Sequence, residues 1–265
     1  MSLPGSESEH VDVAGPEDAP AVVFVHGTVF NRTMWAPQRE ALAGEFRVLV
    51  PDLPGHGART DDPFRIETAV ETLTRVIDDL ADGSAHVVGL SLGGYAATAL
   101  ARRHPERVDD LVLSGSSANP VGHLGTASDI LGRVTLRAAE SGLVERATDW
   151  LAERYVRSRD LDPETVAEII GAGFDLRPFG EAGVEIAGVD FRAALASFPG
   201  PVLVLNGQWD LLMRLGEHAH ADAHGDARVR TVDGAGHVAN LDRPGAYASA
   251  IGGFLTSTVD ASASD

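Results

Sequence analysis

Three polar residues, widely separated in a chain of 265 residues, each sit in a setting suited to chemistry. Ser91 lies within Gly89-Leu90-Ser91-Leu92-Gly93-Gly94, Asp210 follows Gly207-Gln208-Trp209, and His237 closes Gly234-Ala235-Gly236-His237. A serine hydroxyl is a weak nucleophile until an imidazole takes its proton and a carboxylate holds that imidazole in one tautomer. Serine first, then acid, then histidine is one of the chain orders in which such a relay occurs. The Gly-x-Ser-x-Gly spacing has its own physical logic. An apolar run, Ala85-His86-Val87-Val88, leads in, and small helix-forming residues follow as far as His104-Pro105. A sharp strand-to-helix turn there lifts the hydroxyl above the sheet edge. Gly89 and Gly93 let strand and helix approach, and the helix opening at Leu92 aims its first amides at charge developing beside the serine.

The elements that must position these residues can be read from the pattern. Short Val/Leu-rich runs at Ala21–His26, Arg47–Pro51, His86–Leu90, Val108–Ser114, Pro201–Asn206 and Val229–Val232 read as strands buried on both faces. Helical stretches are expected around 66–81, 92–103, 214–223 and 243–255, the last with Asp242 as N-cap and Pro244 just behind it. Strand–helix alternation of this kind implies an α/β fold with a mostly parallel sheet flanked by helices. One further strand fits near Glu9–Val13. Residues 119–196 break the rhythm, with helical amphipathicity and no clear strand, until Pro199-Gly200-Pro201 marks the return. The expected division is a core of 1–118 and 197–265 with a helical lid at 119–196. The polar ends, MSLPGSES and TSTVDASASD, are expected to be mobile.

In a parallel sheet the loops at the carboxyl ends of the strands gather on one edge, so Ser91, Asp210 and His237 are expected to converge there as the catalytic residues. The loop Ser114-Gly115-Ser116-Ser117-Ala118-Asn119 holds no carboxylate to rival Asp210. An oxyanion hole needs two amides. The N–H of Leu92 is one, and that of Thr28, after the strand ending in His26-Gly27, is the other, with Val29 next in line. His26 reads as a structural histidine binding loop backbone, and Asp52-Leu53-Pro54-Gly55-His56-Gly57 as a shaped turn. Structural roles suffice for His86 and His104. His218, His220 and His224 invite a metal reading, but only the last two share a helical face and no third ligand is evident. A solvated helix face is the expectation there, with no metal. Val29, Trp35, Trp150, Phe174, Phe179, Trp209 and Val238 are candidate pocket residues, and core packing accounts for the aromatic ones equally well.

Composition narrows the class. The net charge is −18, and with no lysine all 21 basic residues are arginine. Such a surface repels phosphate backbones and anionic membranes, so no nucleic acid or membrane partner is expected. There is no apolar run long enough to span a bilayer and no signal-peptide pattern at the N-terminus, which points to a cytoplasmic protein. The absence of cysteine excludes disulfides, thiolate metal sites and a cysteine nucleophile.

Taken together, His26-Gly27, the Asp52–Gly57 turn, the Ser91 segment, Gly207-x-x-Asp210 and Gly234-Ala235-Gly236-His237 resemble the α/β-hydrolase superfamily across residues 20–118 and 200–256. The Met34–Gln38 region and Gly-Leu-Ser-Leu-Gly-Gly are similar to its 3-oxoadipate enol-lactonase-like and esterase branch. The resemblance implies an eight-stranded, mostly parallel sheet, a variable lid at 119–196, and a serine hydrolase of small esters or lactones that needs no cofactor. The same triad serves C–C bond hydrolysis, acyl transfer or cofactor-free perhydrolysis, and these stay open. A non-catalytic binding module on this fold is the other alternative, against which the presence of all three triad residues counts.

Overall fold

The computed structural model describes residues 10–262, so the N-terminal polar stretch lies outside the described residues. Its strands are β1 (Val11–Ala14), β2 (Ala21–Val25), β3 (Arg47–Pro51), β4 (Ala85–Leu90), β5 (Val108–Ser114), β6 (Val202–Gly207) and β7 (Arg228–Val232). They form one sheet in the order β1-β3-β2-β4-β5-β6-β7. β1 runs antiparallel to β3, and every other pairing is parallel. Among the described residues the sheet therefore has seven strands, where the resemblance implied eight. The helices are α1 (Ala36–Leu42), α2 (Ile66–Leu80), α3 (Leu92–Arg103), α4 (Gly122–Ala139), α5 (Gly142–Arg157), α6 (Pro163–Gly171), α7 (Arg177–Glu185), α8 (Phe191–Leu195), α9 (Leu211–His224), α10 (Ala239–Asp242) and α11 (Pro244–Ser262). Residues 256–262, expected to be mobile, continue α11.

The unbroken apolar strands follow from coverage on both faces. Along β2, Val23 and Val25 point into one core with Leu49, Leu73, Ile77 and Leu100. Val22 and Phe24 point into the other with Trp35, Val48, Ile251 and Phe254. This is the two-residue period of a strand with helices on either side. Each fully buried side chain of this size contributes about 1.5–3 kcal/mol relative to exposure. β7 departs from the pattern. It is an edge strand with Arg228 and Thr231 exposed, and charge at an edge discourages pairing with another chain.

Between β5 and β6 the regular elements are all helices, α4 to α8, joined by short loops, one of which pairs Asp175 with Val29 in an isolated bridge. α4 and α7 touch through glycine: a Cβ at Gly132 would stand 2.7 Å from the Gly180 carbonyl oxygen. Ser128 Oγ bridges the same seam, donating to the Gly183 carbonyl at 2.8 Å. α8 sits apart from that pair, with Phe191 and Leu195 buried as it packs on α3 and α9. Among the described residues no helix is long and apolar enough to cross a membrane.

Strand order reverses at β2, because β3 lies on one side of it and β4 on the other. Such a switch point opens a crevice beyond the carboxyl ends of the two strands. Thr28 follows β2 there, and Ser91 follows β4.

Candidate active site

Ser91 has φ 54° and ψ −116°, a region that L-residues rarely occupy. The turn is enforced by close contact beneath it. A Cβ at Gly93 would lie 2.1 Å from the Val25 carbonyl oxygen, so α3 can start this near β2 only with glycine. The Ser91 amide donates to the Ser114 carbonyl at 2.7 Å, tying the elbow to the end of β5. His237 Nε2 stands 3.0 Å from Ser91 Oγ, and His237 Nδ1 stands 2.7 Å from Asp210 Oδ2. Asp210 is buried, whereas the imidazole is 41% exposed and so open to the crevice. With the Nδ1 proton donated to Asp210, Nε2 is left as the acceptor facing the hydroxyl. That is the tautomer a general base needs. Backbone from the loop after β5 supports the ring, since a Cβ at Gly115 would meet His237 Cε1 at 3.0 Å.

A small chamber of about 110 Å³ opens above the serine, bordered by Thr28, Ser91 and Leu92 among others. Leu92 is the first residue of α3, and the first amides of a helix have no intrahelical acceptor. The Thr28 loop is held on both sides. Val29, with φ 71°, accepts a hydrogen bond at its carbonyl from the Asp175 amide at 3.0 Å, and Asn31 Nδ2 donates to the Gly173 carbonyl at 3.1 Å. The buried carboxylate of Asp52 accepts from the amides of Arg32 and Ala58, each at 2.9 Å, and also pairs with the Arg32 guanidinium. His26 is structural. Its Nε2 accepts from the Leu53 amide and its Nδ1 donates to the Gly27 carbonyl, both at 2.9 Å. Burial lowers its pKa, against the raising effect of Asp52. The adjoining His56, whose ring centre is 4.7 Å away, is held well below the usual histidine range by burial and then by His26.

Of the seven candidate pocket residues, Phe179 borders the chamber. The others lie elsewhere. Trp35 is fully buried and packs on Phe24 and Tyr247, so it belongs to the core. Phe174 packs edge-on against Phe30. Trp150 is 61% exposed on α5, in a shallow groove with Leu151 and Arg154, and Trp209 is 65% exposed. Val29 and Val238 are half-buried against the second core. Hydrophobic character marked these residues without indicating which cavity, core or surface each would face.

The histidine-rich stretch of α9 also differs from expectation. His220 is buried, not solvated, and burial pushes its pKa down to about 4. His224 lies 3.1 Å from the Phe198 carbonyl, and His218 remains exposed. Among the described residues no cluster of three or more His, Cys, Asp or Glu is placed to hold a metal ion.

Asp242 carries a role that its reading as an N-cap missed. Its Oδ2 accepts from the Gly236 amide at 2.6 Å, next to His237, and its Oδ1 accepts from Tyr155 Oη at 2.7 Å and Arg159 Nη1 at 2.5 Å. One carboxylate thus ties the histidine loop to α5 and the residues just after it. The one sequence signal was its position, five residues beyond His237.

An open parallel sheet with a serine elbow, an imidazole and a carboxylate at its carboxyl edge defines the α/β-hydrolase class. The chain belongs to the alpha/beta hydrolase family, whose model matches residues 22–250. It is 26% identical over 253 residues to 3-oxoadipate enol-lactonase 1 of Acinetobacter baylyi, covering 93% of this chain and 92% of that one. It is 32% identical over 245 residues to the pimeloyl-[acyl-carrier protein] methyl ester esterase of Aromatoleum aromaticum, covering 85% and 94%. Among solved structures, a thermophilic esterase from Thermogutta terrifontis matches with a TM-score of 0.76 and 29% identity, covering 94% of this chain and 93% of that one.

Proposed function

We propose that the protein is a serine hydrolase that cleaves carboxylic esters or lactones through an acyl-enzyme on Ser91. The observation that carries this reading is the continuous path from Asp210 through His237 to Ser91, with links of 2.7 and 3.0 Å. Similarity to an enol-lactonase and to methyl ester and thermophilic esterases supports it. In this mechanism His237 Nε2 takes the Ser91 proton as Oγ attacks the carbonyl carbon. Asp210 stabilises the resulting imidazolium. The amides of Leu92 and Thr28 bind the tetrahedral oxyanion, and losing one such donor costs on the order of 3 kcal/mol. As the intermediate collapses, His237 returns the proton to the departing alkoxide, leaving an ester on Ser91. His237 then deprotonates a water that attacks the ester, releasing the acid and restoring the serine. Every step draws on side chains and backbone of this chain, with no metal or organic cofactor. Residues 119–196 act as the lid over a core of 1–118 and 197–265, and the enzyme is cytoplasmic.

A panel of p-nitrophenyl esters, enol lactones and acyl acceptors, run with wild type and Ser91→Ala, tests the reading. Hydrolysis by the wild type is expected, with kcat lower by about 10⁴-fold or more in the variant. If the acyl group of every ester and lactone consumed went to an acceptor, with no free acid formed when water was the only acceptor, the hydrolase reading would be wrong.

A further inference from the structure

The chamber above Ser91 is defined well enough to say what fits it. Its floor is Leu92 and Tyr95 from α3, and its roof includes Leu131 and Gly132 from α4 and Phe179 and Ala182 from α7. The volume, about 110 Å³, is well below the roughly 300–1,000 Å³ of drug-sized ligand sites. It is also below the ~150 Å³ cavity known to accept a benzene ring. Scaled from that cavity, which takes the six carbons of a benzene ring, it holds on the order of four heavy atoms. The glycine seam that joins α4 to α7 fixes the roof at this height, because neither Gly132 nor Gly180 can gain a Cβ without striking the opposite helix.

The chamber's polarity is as restrictive as its size. No arginine, carboxylate or histidine is among its lining residues. Two of its hydroxyls are already committed to backbone: Tyr95 donates to the Ala118 carbonyl at 2.7 Å, and Ser128 to the Gly183 carbonyl at 2.8 Å. Burial, followed by the charge of Asp210, raises the Tyr95 pKa, so this phenol stays neutral. Thr28 and Ser91 remain, both at the reacting end. A carboxylate on the substrate's acyl chain would therefore give up water on the chamber side with no charged partner to replace it, which is disfavoured. The net charge of −18 acts in the same direction by repelling anions from the surface.

We infer that the substrate's acyl part is a short, uncharged, apolar chain of about three to five carbons, selected by the chamber between α3 and the α4–α7 roof. This rests on the serine hydrolase reading and adds to it the substrate class. It also separates this chain from an enzyme whose acyl group ends in a carboxylate.

The test is a series of p-nitrophenyl esters: acetyl, butanoyl, pentanoyl, octanoyl, benzoyl, and the succinyl monoester, which places a carboxylate near where the pentanoyl chain ends. A fluorophosphonate label on Ser91 is read alongside. The expected kcat/KM peaks between three and five carbons and falls by about tenfold or more for octanoyl and benzoyl. Succinyl is expected to fall about a hundredfold or more below pentanoyl. Phe179→Ala, at a half-exposed roof position, is expected to move the optimum toward octanoyl. Ala182→Leu is expected to suppress butanoyl more than acetyl. Because Phe179 lies at the surface, its variant keeps the test available if Ala182→Leu fails to fold. A labelled enzyme whose profile peaks at octanoyl, or that takes succinyl as readily as pentanoyl, would overturn the inference while the hydrolase reading stands. An unlabelled enzyme that turns over no ester would overturn both.

Discussion

Ser91, just after β4, and Val29, in the loop after β2, both hold a positive φ, 54° and 71°. For a β-branched residue such as Val29 this is an outlier, and residues so placed cost of order 1–3 kcal/mol each. The surroundings hold them there: the Asp175 amide grips the Val29 carbonyl at 3.0 Å, and the Ser114 carbonyl grips the Ser91 amide at 2.7 Å. In the proposed mechanism this strain presents the nucleophile and the Thr28 amide to the same carbonyl. Asp242 supports the base in a comparable way, through its 2.6 Å bond to the Gly236 amide. Asp242→Asn keeps the size and loses the charge that faces Arg159 and Gly236. A charge-assisted hydrogen bond contributes about 1.5–3 kcal/mol, so a melting point lower by several degrees is expected. As His237 loses its alignment, kcat should fall about tenfold or more with KM little changed. Thermal melts and steady-state kinetics check this, and a lowered melting point with kcat intact would show that Asp242 only braces α5.

The elements were legible to different degrees, for identifiable reasons. β2 to β6 and α3 announced themselves, because strands covered on both faces read as unbroken Val/Leu runs and the serine turn has a fixed glycine spacing. α1 went unread: it is seven residues long, opens beside Pro37 and gains its place by packing on α11. The approach of Ser91, Asp210 and His237 was expected from their loops alone, and the structure brings them within hydrogen-bond distance. The chamber was not legible, because it depends on how closely α4 meets α7 and on which large apolar side chains face inward. His220 shows the same limit, since the sequence pattern could not show that this side of α9 faces inward. The loops after β2 and β3 meet through His26 and His56, and this pair makes a pH prediction. Both are buried with pKa values below the usual 6.5. Below that value the unfolded chain binds protons that the folded one does not, so stability falls as pH drops from about 6.5 toward the folded-state values. Protonation of His26 Nε2 would also remove the acceptor for the Leu53 amide. Urea unfolding between pH 7.5 and 5 should therefore show declining stability, each histidine steepening the slope by at most about 1.4 kcal/mol per pH unit. His56→Gln should flatten the curve, and an identical slope in that variant would contradict this account.

At the scale of the whole molecule, the parallel sheet brings distant sequence together. Residues 91, 210 and 237 meet because β4, β6 and β7 end on the same edge, and the reversal at β2 leaves a crevice beside Thr28. The helices between β5 and β6 roof that crevice, and the chain's net charge of −18 disfavours anions. In the proposed mechanism this crevice makes and breaks an ester on one serine. The most direct measurement is rapid mixing with p-nitrophenyl butanoate, followed by quenching and mass spectrometry of the protein. A burst of p-nitrophenol approaching one per active site and a butanoyl adduct on the peptide carrying Ser91 are expected, both absent in Ser91→Ala. Turnover by the wild type that persists undiminished in Ser91→Ala, with no adduct on that peptide, would contradict the mechanism.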